Sequence, residues 1–270
     1  MKNYHLIKAL KWQKLSLKLE KIRKSYYERE IPQVVVEAIV KEIKRGIAEK
    51  IFFHIKDHTF GSNIEKGENF IVEVIIPNSS KSVINEIEKK AIEYLNSPEG
   101  GKNYKLIDTY VEDRDLIKLF QETSIDSKSK EVTLEFLTPL HYKTLSEKHR
   151  TYIDKTLFFS LTRKRLKTLF DIEIDLSDEI DINIIPYYWY YTEKTHYSKS
   201  QIGTKQLING CCGNLYIRGD ISEIIPLLIL TSELHIGSKL SFSYGYFKLH
   251  SPSKPFLDNF LTDPIKLKKS

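Results

Sequence analysis

ENFIVEVIIPNSSKSVINEIEKKAIEYLNSPEGGKNYKLIDTYV, residues 68–111, decides the fold. The segment ENFIVEVII (68–76) is apolar and β-branched enough for a strand, and Pro77 with the serines after it makes a turn. The period then changes: Ile84, Ile87, Ala91 and Leu95 fall on one helical stripe with Glu and Lys opposite, which is an amphipathic helix lying over a sheet. SPEGGKN breaks that helix, and YKLIDTYV (104–111) returns to strand character.

Upstream, WQKLSLKLEKI (12–22) alternates, with Leu15, Leu17 and Leu19 on one face of a half-buried strand. Pro32 opens a helix on which Val36, Val40, Ile43 and Ile47 recur, with Gly46 as a stop, and KIFFHI (50–55) is a short strand. The series is strand, helix, strand, strand, helix, strand, the ferredoxin-like order.

The second half repeats it. EVTLEFL (131–137) is a strand, 146–170 a long helix, DINIIPYYWYY (181–191) a strand carrying a proline, and GNLYIRG (213–219) the next strand. Asp220 and Glu223 offer a capping box for a helix starting at Ile221, and HIGSKLSFSYGYFKL (235–249) is the last strand, with Gly237 and Gly245 inside it. Glycine in a strand marks a bulge or a close approach by a backbone or ligand. The expected fold is α+β: two tandem ferredoxin-like (RRM-like, βαββαβ) domains, residues 1–118 and 119–270, joined near 112–130.

The chain's 42 Lys and Arg against 36 Asp and Glu give a net charge of +6, which suits a polyanion without requiring one. Cys211 and Cys212 are adjacent, which fits neither an ordinary bridge nor a spaced metal-ligand pattern. A basic N-terminus without an apolar stretch, and a longest apolar run of IIPLLIL (224–230), point to a soluble cytoplasmic protein with no membrane partner.

The stretch GCCGNLYIRGDISEIIPLLILTSELHIGSKLSFSYGYFKL (210–249) resembles the C-terminal end of the CRISPR-associated repeat-RNA-processing endoribonucleases, the Cas-six family of the RAMP superfamily. Gly210, Gly213, Gly237, Lys239, Ser241 and Gly245 fall in step with that pattern, while Ser243 stands where the family often has another glycine. KGENFIVEVII (66–76), LEFLTPLHYK (134–143) and SKSQIGTKQLINGCCG (198–213) are similar to three further patches of the family.

The resemblance implies metal-independent cleavage of CRISPR precursor RNA within the repeat, without a cofactor. A ribose 2′-hydroxyl attacks the adjacent phosphate, leaving a 2′,3′-cyclic phosphate and a 5′-hydroxyl. The alternative it implies is a non-catalytic RAMP subunit that binds guide RNA in a CRISPR effector complex. Expected partners are repeat RNA and effector subunits, with the chain a monomer or homodimer.

Such chemistry needs in-line positioning, a base, an acid and cations near the phosphate. The family often places a histidine at the first strand-to-helix connection, and here IRKSYYEREIP (22–32) has none. Tyr26 and Tyr27 could orient the 2′-hydroxyl or donate to the leaving oxygen, with Arg23, Lys24 and Arg29 neutralising the phosphate. His235, beside the glycines, is the other contender, either as a base or only as a support for the backbone. His54 and His58 could approach RNA from the first domain, although surface-loop histidines are commonly not catalytic.

For RNA binding, the candidates are the loop residues Gly237, Ser238, Lys239, Ser241 and Gly245, then Arg163, Lys164 and Lys167 on one helical turn, then Gln201 and Lys205. The aromatic run YYWYYTEKTHYSKS (187–200) suits base stacking, although period two turns about half of its rings inward.

Overall fold

The computed structural model describes residues 4–24, 31–48, 50–77, 81–142, 151–176, 179–197, 205–238 and 243–251. The first unit contains α1 (Tyr4–Lys8), β1 (Lys11–Lys21), α2 (Pro32–Ile43), β2 (Phe52–Ile55), β3 (Asn69–Pro77), α3 (Lys81–Leu95) and β4 (Tyr104–Asp115). After α4 (Leu116–Glu122) come β5 (Glu131–Leu140), α5 (Lys155–Phe170), β6 (Ile182–Tyr197), β7 (Lys205–Gly219), α6 (Ile225–Leu234) and β8 (Phe247–His250).

The strands form two four-stranded antiparallel sheets, ordered β2-β3-β1-β4 and β6-β7-β5-β8. In each, the first and third strands of the unit lie side by side in the centre, so the α+β class and the two tandem ferredoxin-like units are as expected.

Alternation along β1 explains how the halves meet. Leu15, Leu17 and Leu19 turn towards α2 and α3, where they join Val36, Val40, Ile84, Ile87 and Ala91 in one core. Each such aliphatic side chain contributes about 1.5–3 kcal/mol by leaving water. Trp12, on the opposite face of β1, belongs instead to the second core, with Phe52 and Ile75 alongside Leu134, Phe158, Leu228 and Phe247. That second core therefore crosses from one sheet to the other.

Four expectations change. The segment read as a linker contains α4, whose first turn is capped by the Asp115 carboxylate accepting from the Lys118 amide, and the division expected at 118/119 falls within it. α5 begins at Lys155, not 146, because Asp154 caps it by accepting from the Leu157 amide. α6 begins at Ile225, not Ile221: Asp220 accepts from the Ser222 hydroxyl, residues 221–224 form a turn, and Pro226 sits in the first helical turn. Among the described residues of 235–249, only those from Phe247 onwards are strand.

Candidate nucleic-acid interface

The described residues after α6, 235–238 and 243–246, are not strand: His235, Gly237, Ser243 and Gly245 have φ of 59°, 87°, 62° and 73°. They fold as a loop against the end of β5. A Cβ on Gly245 would lie 1.8 Å from the Ile236 carbonyl oxygen, and one on Gly237 would lie 2.8 Å from that of His141. The glycines thus admit main-chain contacts: Ile236 N–H donates to Gly245 O at 3.1 Å, Gly245 N–H to Pro139 O at 3.0 Å, and Ser238 N–H to His141 O at 3.0 Å. Ser243 adopts the left-handed conformation that suits the family's glycine, with its side chain buried.

Arg165 supports this loop from below. Its Nε donates to His235 O and its Nη2 to Gly237 O, both at 3.1 Å. Sequence reading named the neighbours Arg163, Lys164 and Lys167 and passed over Arg165. The helical period held the signal, since Arg165 lies on the same buried face as Phe158, Thr162, Leu166 and Leu169.

His235 opens the loop and is fully buried. Its Nε2 lies 3.0 Å from His54 Nδ1, and His54 Nε2 lies 2.7 Å from Glu73 Oε2. Burial first, then the His54 ring and the Arg165 charge, push the His235 pKa well below the usual histidine value. Burial opposes ionisation of Glu73, yet the hydrogen bond from His54 and the charges around it hold the carboxyl well below its usual range. Glu73 is therefore a carboxylate, and it accepts the hydrogen bond from His54 Nε2.

The network continues through Lys14, which reaches Glu73 at 3.2 Å and Glu233 at 3.5 Å. Glu233 also accepts from Trp12 Nε1 at 2.6 Å and from Arg114 Nη2 at 2.7 Å. The end of α6 is therefore anchored in the first sheet by Glu233 and His235, two residues apart. Beside the network opens a cleft of about 230 Å³ lined by His54, Glu73, Glu122, Glu233, Tyr246 and Lys248. Its acidic lining is unsuited to a phosphate backbone.

A small cluster on the other side of the loop joins the start of α2, β7 and the loop. Ile31, at the end of the β1–α2 connection, packs with Ile208 of β7 and Tyr244 of the loop, and Val34 and Phe60 lie against them. The Tyr244 hydroxyl oxygen accepts from the Asn209 amide at 2.9 Å, so the loop is also tied to the β6–β7 hairpin. Nearby, His58 Nδ1 is 3.1 Å from Gln33 Nε2 in the first turn of α2. Ile31 before α2, Ile208 of β7 and Tyr244 of the loop thus meet in one cluster.

Of the residues expected to act, Tyr26, Tyr27, Arg29, Gln201, Lys239 and Ser241 lie outside the described residues, as does the side chain of Lys205. Lys24 is exposed where β1 ends. Gly237, Ser238 and Gly245 are in the loop, with Ser238 Oγ 2.6 Å from His141 Nδ1. Lys164 is exposed, Arg163 donates to Leu176 O at 3.3 Å, and Lys167 is paired with Asp171 at 2.7 Å and Glu173 at 3.0 Å. The reading of His235 as a base facing RNA needs correction for this conformation: the ring has no solvent-exposed surface, and its geometry fits the alternative, support of the loop.

Among the described residues, no group of three His, Cys, Asp or Glu side chains is placed to hold a metal ion. No described helix is long and apolar enough to cross a membrane.

Residues 134–247 match the family model for CRISPR-associated endoribonuclease Cas6. No curated protein matches the chain by sequence. Among solved structures, a partial Cas6-RT-Cas1–Cas2 complex is similar at TM-score 0.64 and 14% identity, over 91% of this chain and 47% of that one. A Thermus thermophilus Cas6 is similar at TM-score 0.55 and 12% identity, over 90% of this chain and 99% of that one. A Cas6 product complex follows at TM-score 0.54 and 13% identity, over 89% and 100%. The chain thus spans about half the length of the first of these and nearly the whole of the other two. The resemblance read from the glycines and strands is borne out: residues 134–247 match the Cas6 family model, and the fold is similar to that of solved Cas6 structures.

Proposed function

We propose that the protein is an endoribonuclease that cuts CRISPR precursor RNA within the repeat without a metal ion, by attack of a ribose 2′-hydroxyl on the adjacent phosphate. The observation that carries this reading is the packing of Ile31 against Tyr244 and Ile208. Ile31 follows Tyr26, Tyr27 and Arg29 in sequence and Tyr244 follows Lys239, and the contact supports one site within a chain whose residues 134–247 match Cas6. Tyrosine hydroxyls there supply proton donors and orienting groups, and Lys24, Arg29 and Lys239 supply charge for the phosphate. The similar Cas6 structures include product and substrate-mimic complexes, which fits an RNA substrate, and a Cas6-RT-Cas1–Cas2 complex, which fits assembly with other CRISPR proteins.

A second reading, a guide-RNA-binding subunit that does not cut, is favoured by two observations: His235 is buried, and the β1–α2 connection lacks histidine. Incubation with the cognate repeat RNA in EDTA separates the two. One cut leaving a cyclic phosphate supports the nuclease; tight binding by folded protein without a cut supports the subunit.

A further inference from the structure

Arg165 is only 3% exposed, and its described hydrogen-bond partners are two main-chain carbonyls, those of His235 and Gly237. The Phe52 ring centroid lies 6.0 Å from its guanidinium carbon. No carboxylate among the described residues forms an ion pair with it, and burial alone draws its pKa down to about 9, so it stays charged at neutral pH. The other buried cations of the interface are treated differently. Lys14 touches Glu73, Glu112 and Glu233, and Arg114 touches Glu112, Glu122 and Glu233.

A buried charge without a counter-ion is costly. Here it lies directly beneath the loop. By drawing the carbonyls of His235 and Gly237 inward, Arg165 also withdraws two negative dipole ends from the surface that a phosphate would approach.

We infer that Arg165 is the positioning residue of this loop and that its charge, which no carboxylate among the described residues pairs, is neutralised by an RNA phosphate seated on the loop. The inference rests on the RNA-binding reading above but not on cleavage. Arg165 does not touch the reacting atoms; it acts through the loop backbone and through its field.

The test measures binding of a uridine dodecamer in EDTA across a salt series, for the wild type, Arg165→Met and Arg165→Lys. Arg165→Met is expected to weaken binding about tenfold and to lower the slope of log K against log salt by about 0.7, one phosphate contact on a single strand, while Arg165→Lys restores the slope. An unchanged slope and affinity in Arg165→Met overturns the inference, as does a weakened affinity with an unchanged slope, which would mean support of the loop alone. If Arg165→Met does not fold, nitrogen-15 spectra of the wild type titrated with inorganic phosphate decide: the Arg165 side-chain signal shifts if the inference holds and stays fixed if it does not. A wild type that binds the dodecamer but never cuts repeat RNA would remove the nuclease reading and leave this inference standing. A wild type that cuts while Arg165→Met matches it in affinity and slope would do the reverse.

Discussion

His235 and His54 meet between the two sheets, Nε2 to Nδ1 at 3.0 Å, with ring centroids 5.1 Å apart. The contact ties the first residue of the glycine-containing loop to a strand of the other unit. His235 holds φ 59° and ψ 168°, a region in which a residue with a side chain is strained by about 1–3 kcal/mol. The hydrogen bonds on its ring and carbonyl keep it there.

Acid should weaken the fold through this residue. The His235 pKa is depressed in the folded chain, so below about 6.5 the unfolded chain takes up a proton that the folded one refuses. Stability therefore falls with pH from that point, by at most about 1.4 kcal/mol per unit from this group. Urea titrations between pH 5 and 8 should show the loss in the wild type and a smaller one in His235→Asn, since asparagine keeps a hydrogen-bonding side chain and does not titrate. Glu73 acts lower: its stabilisation is complete above the ordinary carboxylate pKa and is lost as pH falls through its depressed value.

Glu233→Ala should cost about 1–3 kcal/mol, because the buried Trp12 indole N–H loses its acceptor while Lys14 and Arg114 each lose one of three carboxylate partners. Urea unfolding measures the loss, and Trp12 emission should report it, since its indole N–H loses its acceptor.

The two glycine substitutions should separate strain from close packing. Gly46→Ala has open space around it and should cost about 1–2 kcal/mol for a left-handed alanine. Gly245→Ala adds a collision with the Ile236 carbonyl, so it should cost more than that and should weaken RNA binding as well. Denaturation and filter-binding assays on the same preparations check both.

Tyr26→Phe and Tyr27→Phe, assayed for single-turnover cleavage at saturating protein, should identify the acid/base group by a fall of about 10²- to 10⁴-fold. His235→Asn should lose less than about tenfold at pH 7, because its imidazole supports the loop without reaching RNA. A larger loss in His235→Asn than in either tyrosine variant would reverse these roles.

Periodicity made most of the fold legible. The stripe Ile84, Ile87, Ala91 and Leu95 is fully buried, and the alternation of Leu15, Leu17 and Leu19 is a core face. What it could not convey was the last strand, because HIGSKLSFSYGYFKL has strand-like composition while its conformation is set by left-handed residues and contacts with β5. The start of α6 was misplaced because the apparent capping box competes with a Pro226 that suits the first helical turn. The site was legible as glycines and basic residues but not as a network. His54 looked like a loop neighbour until the second domain was placed against it, and Arg165 was hidden among exposed cations although its helical position marked it as inward.

The most direct measurement of the central claim uses two cognate repeat RNAs in EDTA, one all-ribose and one with a single 2′-deoxyribose at the mapped cut. The account predicts a single cut with a 2′,3′-cyclic phosphate end in the first, and equal binding without cleavage in the second. Cleavage of the deoxy-substituted RNA at the same position, or no cleavage of either by protein that binds both, would contradict it.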